Sequence, residues 1–254
     1  MHKLLEYRTL IWVLTLKQIK IRYRIAFLGF LWMILNPLLM MAVLYLVFSQ
    51  MVKLNIPHYP WYLLTGLLPW MFLSHSIGLA TESIVQEADI IKSTPFPWAI
   101  IPAATVLGSM AVFGVSFVLL VVINLWAGGT LSAWTFFLPI PIILLFLLTL
   151  GISLTTSALY AYYMDVRYIV DAGLLVWFYA CPIFYTMDMV PPGLVPYYQW
   201  NPMVGILVAF QNIIIRNQAP NFDLLLLSAV ICFVVLALGV IIFEWSRGDF
   251  TDVI

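Results

Sequence analysis

Charge is what this chain has least of. Only 9% of its 254 residues are Asp, Glu, Lys or Arg, where soluble domains run near about a quarter, and the charges cancel to zero. No basic excess points to nucleic acid as a partner. Cysteine is equally scarce: Cys181 and Cys232 both lie in apolar surroundings, which speaks for two buried thiols rather than a disulfide framework. No Gly-x-x-x-x-Gly-Lys-Ser/Thr phosphate loop occurs, so the chain does not bind ATP in that way. His2, His58 and His75 are scattered with no second ligand at metal spacing. Neither a Ser/His/Asp arrangement nor a His-Glu-x-x-His helix can be assembled, which leaves no catalytic residues and no metal site to name. The short apolar run 10–16 ends in Lys17 rather than in a small-residue cleavage site, so it does not read as a secretory signal. Internal repeats and low-complexity segments are missing too.

What is present is apolar: 64% of the residues are hydrophobic and 16% of the chain is aromatic, at strongly positive mean hydropathy. This is an integral membrane protein, all-α, read as one transmembrane domain over 1–254. Runs long enough to cross a bilayer, which takes about 20 residues, fall at 25–52, 61–80, 100–126, 134–163, 168–187 and 224–243. Asn36-Pro37 predicts a kink in the first, and Pro182 lies near the end of the fifth. Six spans put both termini on one side. With that side cytoplasmic, nine cations lie inside (Lys3, Arg8, Lys17, Lys20, Arg22, Arg24, Lys92, Arg167, Arg247) against Lys53 and Arg216 outside.

Three segments stand apart from the spans. Residues 1–24 read as an interfacial amphipathic helix, with Leu5, Trp12, Leu16, Ile19 and Tyr23 on one face and Lys17, Lys20 and Arg24 beside them. Arg8 and Arg22 flank the stripe, placed to snorkel to phosphates. A basic tail that only sets topology is the plainer reading. Thr81 to Ala99 is a polar island holding Glu82, Glu87, Asp89 and Lys92. Within it Ile84, Ala88 and Ile91 form a helical stripe, and Pro95 and Pro97 then stop any helix. A short helix there is either a handle for another protein or a loop on the headgroups. Finally, 188–217 carries Pro191, Pro192, Pro196, Tyr197, Tyr198, Trp200 and Asn201, followed by a 203–215 run too short to span. It reads as a structured external element capping a passage, or as a surface hairpin.

Asp171 stands one turn inside the fifth run, four residues after Arg167. Intramembrane acids mark functional sites, but an i, i+4 pair explains this one as well. Trp32, Tyr45, Trp70, Trp177, Tyr179 and Tyr185 lie deep or beside a proline break. They either line a passage, where rings could stack on sugar faces, or pack against neighbouring spans.

Together these features resemble the ABC-2 permease family, the membrane subunits of polysaccharide ABC exporters such as those for O-antigen. Residues 16–39 (LKQIKIRYRIAFLGFLWMILNPLL) look like the family's basic, Leu-Gly, Trp and Pro-Leu approach to span one. Residues 92–102 (KSTPFPWAIIP) look like its Lys…Phe-Pro…Pro run, and 165–185 (DVRYIVDAGLLVWFYACPIFY) its Asp-Val…Pro-Ile-Phe-Tyr run, with Cys181 where serine is usual. Asn201-Pro202-Met203 stands where the family has Asn-Pro-Leu. The resemblance implies a homodimer in the bacterial inner membrane, driven by two cytoplasmic ATPase subunits that use ATP and Mg²⁺, with no cofactor in this chain. It implies export of a lipid-diphosphate-linked polysaccharide, as in lipopolysaccharide biosynthesis. It makes 82–94 the coupling helix, 188–217 the external gate helices, and Lys17, Lys20, Arg22 and Arg24 the contact with lipid head groups. A drug or small-lipid permease, a membrane enzyme acting on lipid-linked sugars, and a channel or scaffold are the competing expectations.

Overall fold

The computed structural model describes residues 7–23, 31–54, 56–89, 96–126 and 128–246, with backbone alone for 21–23. Among them every regular element is helical. In order these are α1 (Arg8–Tyr23), α2 (Trp32–Tyr45), α3 (Tyr59–Gln86), α4 (Ile100–Trp126), α5 (Pro139–Tyr162), α6 (Val166–Tyr179), α7 (Val195–Tyr198), α8 (Pro202–Ile214) and α9 (Phe222–Ser246). A π-helical turn, Leu46–Met51, extends α2, and a 3₁₀ turn, Ala133–Phe137, leads into α5. Expectations that fall on residues 1–6, Arg24, Ile91, Lys92 and the side chain of Arg22 lie outside the described residues.

The bundle is built around α3, which packs against α2, α4, α5, α6 and α8. Leu63, Leu67, Leu73, Ile77, Ala80 and Ile84 are buried along it. Three of its buried hydroxyls bond back to the helix. Thr65 donates to the Trp61 carbonyl, Thr81 to Ile77 and Ser83 to Ala80, at 2.7–2.8 Å. The second expected span therefore does not stop at Ala80. The helix continues to Gln86, so Glu82–Gln86 is its last stretch and not the start of a separate coupling helix.

Helices α5 and α9 form the closest pair. The Phe137 and Phe222 rings meet at 5.8 Å near their starts, and the Tyr162 hydroxyl donates to the Ser246 carbonyl (2.7 Å) at their ends. The two helices thus run parallel. Midway Gly151 and Gly239 face each other with no side chain between: a Cβ at Gly151 would lie 2.7 Å from the Leu236 Cα. Small residues let spans approach to this distance in lipid.

Among the described residues, five helical stretches are long and apolar enough to cross a membrane: Trp32–Met51, Tyr59–Gln86, Ile100–Trp126, Ala133–Tyr162 and Phe222–Ser246. The expected fifth span is not one continuous helix. Its helix α6 has 14 residues and ends before Cys181-Pro182, because proline lacks an N–H and excludes its predecessor from the α region. The chain nonetheless keeps its course antiparallel to α3. Arg167 meets Glu82, Trp177 meets Trp70 at 5.9 Å, Ile183 lies against Gly66, and the Tyr59 hydroxyl donates to the Phe184 carbonyl (2.7 Å). Helix plus non-helical tail runs beside α3 for nearly its whole length. The tail's carbonyls have partners: Gln211 Nε2 donates to Pro182 (2.7 Å) and the Tyr62 hydroxyl to Tyr185 (2.9 Å). That satisfies the rule that irregular backbone at membrane depth must be covered by protein.

Candidate functional site

Two charged contacts hold the C-terminal end of α3. Glu87 follows the last residue of α3 with its side chain only 9% exposed, and both its carboxylate oxygens accept from Lys17 Nζ of α1, at 2.6 and 2.7 Å. One turn earlier, Glu82 pairs with Arg167 at the start of α6, and Gln86 Nε2 donates to Glu82 (2.9 Å). Arg167 Nε also lies 4.0 Å from Asp171, so the i, i+4 pair is real but is the longer arm of a triad.

This changes the reading of the polar island. Ile84 is fully buried, in a cluster with Leu14, Phe96, Ile100, Ile101 and Ala104, and Glu87 is covered by Lys17. Neither offers a surface to another protein, whereas Gln86 and Asp89 are exposed and Ala88 partly so. Lys17, expected among the head-group cations, is engaged with Glu87, while Lys20 is exposed. Likewise α1 does not merely float: Leu14 and Thr15 face α4, the Thr15 hydroxyl reaching the Ala104 carbonyl at 3.5 Å. Trp12, placed by spacing on the apolar stripe, points outward, 63% exposed.

Beside the triad a cavity of about 610 Å³ opens between α2, α3, α4 and α6. Met71, Ser74, His75, Gly78, Leu79 and Glu82 form its α3 wall, Ser109, Val112, Phe113 and Ser116 its α4 wall. Trp32, Met33, Asn36 and Pro37 close it from α2, and Arg167, Val170 and Asp171 from α6. A volume of this size takes a small ligand or a few sugar units. Its walls mix an indole, an amide, hydroxyls, an imidazole and two carboxylates, groups that suit a polyhydroxylated guest. A second, apolar cavity of about 170 Å³ continues beneath α2 past Pro37, Leu64 and Leu120.

Of the six aromatics singled out from sequence, only Trp32 lines this cavity. Trp70 is buried, packed edge-on to Trp177 and against Phe178, so it belongs to the core. Tyr45 packs near Tyr59 at 6.2 Å, and Tyr179 is exposed on α6. Tyr185 donates to the Tyr179 carbonyl (3.0 Å) and shares a hydrogen bond with the Tyr198 hydroxyl. Burial first, and that bond second, push the Tyr198 phenol above its ordinary range, so it stays protonated at physiological pH.

The 188–217 segment is organised by Asn201. Its Oδ1 accepts from Trp177 Nε1 (2.9 Å) and from the Met203 amide (3.1 Å), capping α8, and its Nδ2 donates to the Ala180 carbonyl (2.9 Å). It joins the end of α6 to the start of α8. Pro191, Tyr197 and Trp200 remain exposed around it. Helix α8, expected to be too short to span, is a 13-residue element, and ten of those residues are buried. The pairing of Lys17 with Glu87 and of Arg167 with Glu82 was invisible to the sequence reading. The one clue was that charges this rare in an apolar chain must find partners.

The family described as ABC-2 type transporter matches residues 9–215. The O-antigen export system permease protein RfbA of Myxococcus xanthus is 32% identical over 253 residues, covering 98% of this chain and 97% of the relative. A protein of the same name from Klebsiella pneumoniae is 29% identical over 243 residues, 95% and 93% of the two chains. The polysialic acid transport protein KpsM of Escherichia coli is 24% identical over 199 residues, 76% of each.

Proposed function

The chain belongs to the ABC-2 type transporter family, and from that premise we propose that it is the membrane subunit of an ABC exporter for a lipid-linked polysaccharide. The near full-length similarity to proteins named as O-antigen export permeases carries this reading. The sugar-compatible walls of the 610 Å³ cavity support it. In this account the chain is a passive conduit, and a separate cytoplasmic ATPase using ATP and Mg²⁺ supplies the work. Two copies form the passage in the bacterial inner membrane. Supporting this, α2 and α6 leave wide apolar faces uncovered, including Val43, Leu46, Ile169, Leu175 and Val176. Span α2 would part from α6 of the other copy to admit glycan and lipid. The exposed residues Gln86 and Asp89 are the contact offered to the ATPase, and Lys20 stays with the lipid head groups.

Six crossings complete the topology, the fifth made of α6 and its non-helical tail. The parallel course of α5 and α9 supports this, since the intervening chain must return across the membrane an odd number of times. Single cysteines at Gln199 and Gln86, in a background lacking Cys181 and Cys232, test it. The expected outcome is labelling of position 199 by an impermeant maleimide on intact cells, and of position 86 only after lysis. Labelling of both from one side would overturn the six-span path.

Function is tested by deletion and by purification. Deleting the gene is expected to trap lipid-linked glycan on the cytoplasmic face, and tagged protein is expected to bring down an ATPase. Export of normal surface glycan after deletion would refute the proposal, and drug sensitivity in its place would favour the small-molecule alternative. Glycan modification by the purified chain alone would favour the enzyme.

A further inference from the structure

Glu87 is the acid nearest the break at the end of α3, and it is spent internally: nine-tenths covered, both oxygens on one ammonium, seventy residues away in sequence. On the same face of α1, three residues before Lys17, Leu14 is buried in the apolar cluster that holds Ile84 of α3. So α1 is joined to the end of α3 directly by the ion pair, shares an apolar cluster with it, and rests on α4 through Thr15. Its other faces, with Trp12 and Lys20, are open to lipid.

We propose that Lys17 and Glu87 are a positioning pair that latches the interfacial helix α1 to the coupling end of α3, so that a displacement delivered at 86–89 also shifts α1. This rests on the transport reading above, and it assigns Glu87 to transmission inside the subunit instead of docking on the ATPase. The pair is suited to that task because removing Lys17 leaves the covered carboxylate of Glu87, 9% exposed, without its ammonium, whereas the 40% exposed Lys17 can turn to water. A reversed pair, in contrast, restores the attraction.

Gly108 of α4 supplies a reporter, since a Cβ built there lies 3.4 Å from Gln18 Cβ, close to disulfide spacing. The test uses the full complex with its ATPase in native membranes, carrying Q18C and G108C with the two native cysteines replaced. Oxidation is followed with and without ATP plus vanadate. The parent is expected to cross-link readily and to change its rate when nucleotide is trapped. Glu87→Gln and Lys17→Met are each expected to slow cross-linking about tenfold and to abolish the nucleotide response. The reversal Lys17→Glu/Glu87→Lys is expected to restore both. If the single variants cross-link and respond as the parent does, or if the reversal repairs nothing while the protein remains folded and ATPase-bound, the latch is refuted. The transport reading fails separately, through the absence of any ATPase in the complex.

Discussion

Replacing Gly239 with leucine is expected to dismantle the α5–α9 pair. A Cβ at this position would land on the carbonyl oxygen of Gly151, and that atom belongs to a helix backbone that cannot rotate aside as a side chain can. The helices must move apart, and the packing that follows from Phe137–Phe222 at one end to Tyr162–Ser246 at the other separates with them. Overpacking a core side chain costs about 1–3 kcal/mol, and a backbone collision belongs at or above the upper end. The measurement is the folded fraction in detergent against temperature, with the amount of protein in the membrane as a second readout. Gly114→Ala is the control. No atom lies within 4 Å of a Cβ built there, so the expected change is neutral or a gain of up to about 1 kcal/mol from helix propensity. Equal behaviour of the two variants would show that α5 and α9 do not meet as described.

The second large effect is expected at Asn201. Asn201→Leu removes the acceptor of the Trp177 indole N–H, the donor to the Ala180 carbonyl and the cap of α8 together. A part-buried hydrogen bond contributes about 1 kcal/mol and a lost cap costs about 1 kcal/mol, so a loss of about 1–2 kcal/mol is expected. It should be local. Protease cleavage within 180–201 should rise first, before the rest of the bundle loosens. Asn201→Asp keeps both acceptor contacts and loses the donations to the Ala180 carbonyl and the Cys181 sulfur, so it should fall between the parent and the leucine variant. A leucine variant as protease-resistant as the parent would refute this joint.

Asn201 also shows how much of the protein was legible beforehand. Its neighbour proline and the apolar run behind it placed a short helix correctly, but nothing local announced that its amide would tie two helices together. The 100–126 span agrees end to end, since a long apolar stretch bounded by Pro97 and Gly128 leaves little choice. The second span was read eight residues too short, six of them at its end. Thr81 and Glu82 look like the start of a water-exposed stretch, yet Thr81 turns its hydroxyl onto its own helix and Glu82 finds Arg167. The fifth was read as a plain helix because hydropathy records what a segment can bury and not whether its backbone stays coiled past Pro182. Trp70 carried two readings for a related reason: indoles facing a passage and indoles packed in a core have the same sequence signature. Pairings such as Lys17 with Glu87 depend on which helices become neighbours, which local pattern does not encode.

One feature of α2 reaches beyond the protein itself. Only 11% of its most apolar stretch is buried, it lies over two cavities, and it ends in a widened π turn. Acyl chains therefore surround whatever part of it the other copy leaves open, and sliding it sideways exchanges one apolar contact for another at little cost. Bilayer thickness and chain fluidity thus become working parts of the machine. Turnover should track the choice of phospholipid more steeply than the stability of the remaining bundle does.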